Sequence, residues 1–141
     1  MLSGITFYTE DKIWAQILTD LGAASASRTV ADLIFNPVDF SEPMSGLELK
    51  SKIVAQIDEA RKRAVRRACK ADANVSMANA KIITLLERAG AAGVSAADLR
   101  ISCGYAPDAN SHAIDTAIYA LRKQFGTDFI KTENGRYRFE I

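Results

Sequence analysis

The stretch that leaves the fewest structural options is Ser111 to Ile141, and within it the dipeptide Asn134-Gly135. Phe129-Ile130-Lys131-Thr132 and Glu133 lead into it, and Arg136-Tyr137-Arg138-Phe139-Glu140-Ile141 leads out. A type I′ two-residue hairpin turn needs positive φ at both central positions. Asn tolerates that conformation and Gly adopts it freely, so Asn-Gly between two strand-like runs predicts a β-hairpin. Just upstream, Ile114, Ala117, Ile118, Leu121 and Phe125 recur at helical spacing and predict one apolar face, with Gly126 as the stop. His112, Thr116, Tyr119 and Lys123 are spaced by four, three and four residues, which places them together on the other side of that helix.

The rest of the chain builds toward this helix and hairpin. Ile5-Thr6-Phe7-Tyr8-Thr9 predicts a short strand. Glu10-Asp11 then opens a helix whose apolar face is Ile13, Trp14, Ile17, Leu18 and Leu21, closed by Gly22. Glu10-Asp11 as a pair is suited either to a divalent cation or to capping, and capping is the preferred reading. Val30 to Phe35 predicts a second strand, broken by Asn36-Pro37, and Val38 to Ser45 a loop. A strand-helix-strand order suits a small α/β unit with a parallel pair. From Gly46 a long helix runs toward Ala71, with Leu49, Ile53, Ile57, Ala60 and Ala64 at spacings of three or four. Its second half, Arg61-Lys62-Arg63-Ala64-Val65-Arg66-Arg67-Ala68-Cys69-Lys70, is strongly basic. That half is first of all a solvated face leading to a linker; the sharper alternative is a dimer helix or a phosphate-contacting patch.

Lys70 to Val75 is small and polar and marks the predicted domain boundary. Ser76 caps a helix with Ile82, Ile83, Leu85 and Leu86 inside, closed by Gly90 and Gly93. Ser95-Ala96-Ala97-Asp98 resembles a capping box and starts a short helix with Leu99 and Ile101 inside, ended by Gly104. Tyr105 to Asn110 is a turn-rich loop containing Pro107, and Asn110 or Ser111 caps the next helix. Helix, short helix, loop, longer helix and hairpin are the parts of a winged helix-turn-helix.

Composition narrows the function. With 48% hydrophobic and 25% charged residues over 141 positions, the chain belongs to the globular class, in one domain or two small ones. The net charge of +1 provides no global basic field, and eight Lys/Arg face eight Asp/Glu from Asp72 onward. No run reaches membrane-helix length, and the N-terminus lacks the pattern of a signal peptide. Cys69 and Cys103 lack metal-type spacing and are read as free thiols of a reducing cytoplasm; with a single histidine, no metal site is expected. No nucleophile with a base, glycine-rich phosphate loop or paired catalytic carboxylates stands out, so no enzyme and no cofactor are expected.

In a winged arrangement the Ser111–Phe125 helix enters the major groove and the hairpin meets the backbone or the minor groove. Lys123 and Arg122 are candidates for phosphates or guanine edges, or else for the negative end of the helix dipole. Thr116 and Tyr119 are candidates for bases or phosphates, and His112 for phosphate when protonated. Asp115 is expected to cap or pair within the domain, since phosphate repels it. Trp14 is expected in the core.

Ala113-Ile114-Asp115-Thr116-Ala117-Ile118, Leu121-Arg122-Lys123, Ile130-Lys131-Thr132 and Gly135-Arg136-Tyr137-Arg138-Phe139 resemble the effector domain of OmpR/PhoB-type response regulators over about 65 residues. Two departures stand out: the wing is one residue shorter, and Asn134 occupies the basic wing position, with Arg136 the nearest substitute. Glu10-Asp11, Asp32-Leu33-Ile34-Phe35 and Met44-Ser45-Gly46-Leu47-Glu48-Leu49 resemble a shortened, degenerate receiver domain of the same family. A working receiver needs an aspartate at the end of its third strand. Asn36 or Pro37 stands there, and Asp39 is displaced by two or three residues, so the resemblance implies no phosphoacceptor and no phosphoryl signalling.

The expected fold class is therefore α+β. A small α/β region with a long helix spans residues 1–71, for reception or dimerisation, and a winged helix-turn-helix domain spans residues 76–141. The expected function is that of a cytoplasmic, phosphorylation-independent DNA-binding transcriptional regulator acting as a homodimer. The alternative is a winged-helix protein-interaction module. Expected DNA contacts are Ser111, His112, Thr116, Tyr119, Arg122, Lys123, Lys131, Asn134 and Arg136. Expected partners are double-stranded DNA and a second copy, with RNA polymerase a further candidate, and no membrane.

Overall fold

The computed structural model describes residues 1–70, 73–106, 108 and 112–139. Helix and strand are mixed, with five α-helices and two three-stranded sheets among the described residues. The chain forms two compact units, Met1–Glu59 and Ala60–Ile141. The division falls inside a long helix, not in the polar stretch after it.

In the first unit, β1 (Thr6–Tyr8) leads to α1 (Lys12–Asp20), then β2 (Ala24–Ser25) and β3 (Leu33–Ile34). The sheet order is β2-β1-β3, and both pairings are parallel. β2 has no counterpart in the sequence-based expectation, and the strand predicted over Val30 to Phe35 shrinks to Leu33–Ile34. Thr6 and Asp32 exchange two hydrogen bonds: Thr6 N–H donates to Asp32 Oδ2 at 3.1 Å, and Asp32 N–H donates to Thr6 Oγ1 at 2.9 Å. These side chains extend the pairing of β1 and β3 where the backbone ladder stops.

Asp11 starts α1, its Oδ1 accepting from the backbone of Ile13 at 2.9 Å and Trp14 at 3.0 Å. Two of the orphan donors at the helix N-terminus are thereby satisfied. The predicted apolar face of α1 needs rotating. Leu18 is buried, Trp14, Ala15 and Leu21 pack against the core, and Ile13 and Ile17 face outward. At 100° per residue, Ile13 and Ile17 lie on the flank of the arc centred between Trp14 and Leu18. Periodicity identified the broad apolar arc but not which edge of it is covered.

The predicted loop from Val38 to Ser45 begins with a 3-10 turn at Pro37–Phe40, capped by Asn36, whose Oδ1 accepts from Val38 N–H at 3.2 Å. The turn drops Phe40 into the core, where its ring stacks on Phe35 at 4.6 Å and Phe35 meets Trp14 at 4.9 Å. α2 (Gly46–Cys69) contributes Leu49, Ile53 and Ile57 to the same cluster, around Leu2, Phe7 and Leu33.

The second unit begins within α2, where Ala64 and Val65 are buried. It continues with α3 (Met77–Ala89), β4 (Val94–Ser95), α4 (Ala96–Ser102), α5 (Ala113–Phe125), β5 (Ile130–Glu133) and β6 (Arg136–Phe139). Ser76 and Ser95 cap α3 and α4 through the backbone of Asn79 and Asp98. Five successive α3 residues, Ile82 to Leu86, are buried, which makes α3 the central rod of this unit. Buried Thr84 satisfies its hydroxyl on Ala80 C=O at 2.7 Å. Leu99 of α4 is buried as expected, whereas Ile101 is exposed. Seven residues make barely two turns, and one inward position is all that helix needs. The expected α5 cap at Asn110 or Ser111 lies outside the described residues.

The predicted hairpin forms. Ile130 pairs with Phe139 and Glu133 with Arg136, around Asn134 (φ 53°) and Gly135 (φ 74°). β4 adds antiparallel to β6 through Val94–Tyr137 and Ser95–Arg136, giving the order β4-β6-β5. Gly93 makes that approach possible. Its φ is 70°, and a Cβ there would stand 2.7 Å from Tyr137 O. No described helix is long and apolar enough to cross a membrane.

Candidate nucleic-acid interface

α5 buries Ile114, Ile118 and Leu121 and leaves the opposite side open. His112, Thr116, Tyr119 and Lys123 are all exposed, Tyr119 at 67%. A tyrosine held that far into solvent on a rigid helix offers an aromatic face and a hydroxyl to a partner. Asp115 lies on the same outward side, its Oδ2 3.6 Å from His112 Nδ1. The carboxylate dilutes the positive charge of this face.

The two arginines expected to meet DNA each hydrogen-bond to another element, Arg122 half-buried and Arg136 exposed. Half-buried Arg122 donates from Nε to Ile130 O at 3.0 Å and from an Nη to Thr132 Oγ1 at 3.0 Å. It therefore links the last turn of α5 to β5. Arg136 donates to the carbonyls of Ala92 at 3.0 Å and Gly93 at 3.1 Å, fastening β6 to the segment before β4. Each arginine thus bridges two elements, and no pattern within one element would reveal it.

Lys131 stands opposite Arg138 in the hairpin register, a pairing of like charges. Glu133 relieves it: its Oε2 accepts from Arg138 at 2.8 Å and 3.3 Å. The Arg138 hydrogen bond, then the charges of Arg138 and Lys131, hold the Glu133 carboxyl below the ordinary carboxylate range. Asn134 is exposed at the turn, and Ser111 lies outside the described residues. The structure thus gathers His112, Thr116, Tyr119 and Lys123 on one helix face, and it places Lys131, Asn134 and Arg136 on the hairpin.

In the first unit, Glu10 and Asp11 each engage one carboxylate oxygen within the fold. Asp11 caps α1, and Glu10 Oε1 accepts from the Tyr8 hydroxyl at 3.2 Å. Among the described residues no group of three or more His, Cys, Asp or Glu side chains could hold a metal ion. Cys69 and Cys103 are free thiols, and burial pushes the Cys69 thiol upward.

Charge is distributed unevenly. Met1–Glu59 holds four Lys/Arg against nine Asp/Glu, a formal −5; Ala60–Ile141 holds fourteen against eight, a formal +6. Almost half of the second unit's cations lie between Arg61 and Lys70, where no acid interrupts them. Counting charge from Asp72 onward hides this, because the basic end of α2 belongs to the second unit.

The second unit also contains an open cavity of about 570 Å³, whose lining includes Ala68, Leu86, Phe129 and Phe139 together with Arg67 and Glu87. Arg67 pairs with Glu87 there at 3.0 Å. No family model matches the chain, and no curated protein or solved structure does either.

Proposed function

We propose that this protein is a DNA-binding transcriptional regulator whose Ala60–Ile141 unit is a winged helix, with α5 as the reading helix and β5-β6 as the wing. The supporting order is helix, strand, helix, helix, strand, strand, with β4 paired to the wing. The observation that carries the reading is the open stripe His112–Thr116–Tyr119–Lys123 on α5, in the same unit as a hairpin to which Arg122 hydrogen-bonds. A helix presenting side chains in this way fits the major groove, where each base pair displays its own donor and acceptor pattern.

Under this proposal Tyr119 and Thr116 meet base edges, while Lys123 and His112 meet phosphates. Arg122 and Arg136 act as positioning residues, holding the wing rather than the duplex. The first unit is read as a shortened receiver. The order β2-β1-β3, all parallel, corresponds to the first three strands of the flavodoxin-like order. Asn36, two residues beyond β3, has an amide where a phosphoacceptor needs a carboxylate, and it caps the next turn through Val38 N–H; regulation is therefore read as proceeding without phosphoryl transfer. Exposed Ile13 and Ile17, one turn apart on α1, favour pairing with a second copy. Pairing would bring two reading helices to two half-sites.

Fluorescence anisotropy against a panel of duplexes tests the reading. Lys123→Ala is expected to weaken binding to all sequences about equally, and Tyr119→Ala to change the ranking among them. Unchanged affinity and ranking in both variants would remove α5 from the mechanism. The sparse charge of the α5 face, with Asp115 in it, favours a second reading as a protein-interaction surface. In that case binding would be nearly insensitive to salt.

A further inference from the structure

We infer that the C-terminal half of α2 is a second contact for duplex DNA, one that grips the phosphate backbone without reading sequence. This rests on the reading that the partner is a duplex, but not on α5 being the element that reads it. Arg61, Lys62, Arg63, Arg66, Arg67 and Lys70 follow one another with no acid between them. The buried side of this half is Ala64 and Val65, and Lys62, Arg63, Arg66, Arg67 and Lys70 are exposed.

The cations differ in what they already do. Arg61 reaches Met77 Sδ at 3.0 Å, and Arg67 reaches Glu87 at 3.0 Å, so these two tie α2 to α3. Lys62 and Arg63 have no ion-pair partner among the described residues. Lys62 and Arg66, Arg63 and Arg67, and Arg66 and Lys70 are each four residues apart, the separation at which like charges on a helix repel. The negative end of the helix dipole offsets part of this near Cys69, but it fades within the last turn, and Lys62 and Arg63 lie beyond its reach. From Lys62 to Cys69 the helix advances about 10 Å, a length over which B-DNA presents about six phosphate charges. Lys62 and Arg63, exposed and without an ion-pair partner among the described residues, give this face a charge complementary to a duplex backbone. The rigid rod of α2 holds the cations in place, so less ordering is needed on binding than from a loose tail.

The test is a salt titration of the full chain on a random-sequence duplex, comparing the wild type with Lys62→Gln/Arg63→Gln. Gln is a good helix former, and circular dichroism verifies that the fold is unchanged. Lys12→Gln on α1 is the control for loss of a cation elsewhere. Removing two phosphate contacts lowers the slope of log affinity against log salt by about two and weakens binding roughly 10- to 100-fold near 0.1 M salt. The loss is the same for every sequence. A slope unchanged from wild type, or equally changed by Lys12→Gln, would overturn the inference. So would a wild type that ignores the duplex, or one that binds anionic phosphatidylserine vesicles in its place through Lys62 and Arg63. Failure of the α5 reading looks different: the α2 variant still loses slope, while Tyr119→Ala leaves sequence ranking untouched.

Discussion

The two units solve the same problem, a three-stranded sheet, in opposite ways. In the first, β2-β1-β3 is all parallel and its strands are two or three residues long. Parallel neighbours cannot be joined by a tight turn, so each pairing depends on the connection between strands. In the second, β5 and β6 are joined by Asn134-Gly135, and β4 is recruited from far upstream. The first sheet is held by an aromatic and aliphatic cluster around Phe7, Phe35 and Phe40. The second is held partly by arginines, Arg122 and Arg136, that cross between elements. In a unit of formal +6, charge alone does not mark a binding residue, because two of the candidate arginines, Arg122 and Arg136, also hydrogen-bond within the fold.

The largest effects should come from the two cores. Phe7→Ala and Leu86→Ala each empty a fully buried position, at a cost of about 3–5 and 2–5 kcal/mol respectively. If the units are energetically separable, hydrogen exchange will show each variant losing protection in its own unit and keeping it in the other. Simultaneous loss in both would merge the two units into one cooperative body.

Arg122→Ala should cost about 1–3 kcal/mol, from two lost hydrogen bonds and an exposed hairpin junction. Amides of β5 should exchange faster while those of α3 hold. An unchanged hairpin would show that the guanidinium is decoration, and would make Arg122 a candidate DNA contact again.

The smallest effect is a pH dependence confined to the second unit. Glu133 has its folded pKa depressed by Arg138 and Lys131, so its contribution is present above the unfolded carboxylate pKa. It is lost as pH falls through the lower, folded value. An NMR titration of the Glu133 carboxyl should find it below the ordinary range, and Arg138→Ala should return it there. An ordinary value in the wild type would contradict the geometry.

How much could be read from sequence depends on the range of each interaction. The hairpin, the Asp11, Ser76 and Ser95 caps, the α2 periodicity and the buried side of α5 all depend on neighbours within a few residues, and all formed as expected. β2 and β4 escaped because two-residue strands have no alternation to detect; each exists only through a distant partner. Ile13, Ile17 and Ile101 share the apolar period yet lie exposed, because period shows a stripe but not its covered edge. In the candidate site, the spacing of His112, Thr116, Tyr119 and Lys123 located an exposed face, since helix geometry is local. The roles of Arg122 and Arg136 were hidden, since their partners include carbonyls that no side-chain pattern announces. Lys62 and Arg63 were visible as charge, and only the division of the chain showed which unit they serve.

The most direct test of α5 as a sequence reader is selection of bound duplexes from a random pool by the full chain, repeated with Tyr119→Ala. The account predicts that one base pattern is enriched by the wild type and altered or blurred by the variant. A pool that stays random with the wild type, or an identical pattern from both proteins, would contradict it.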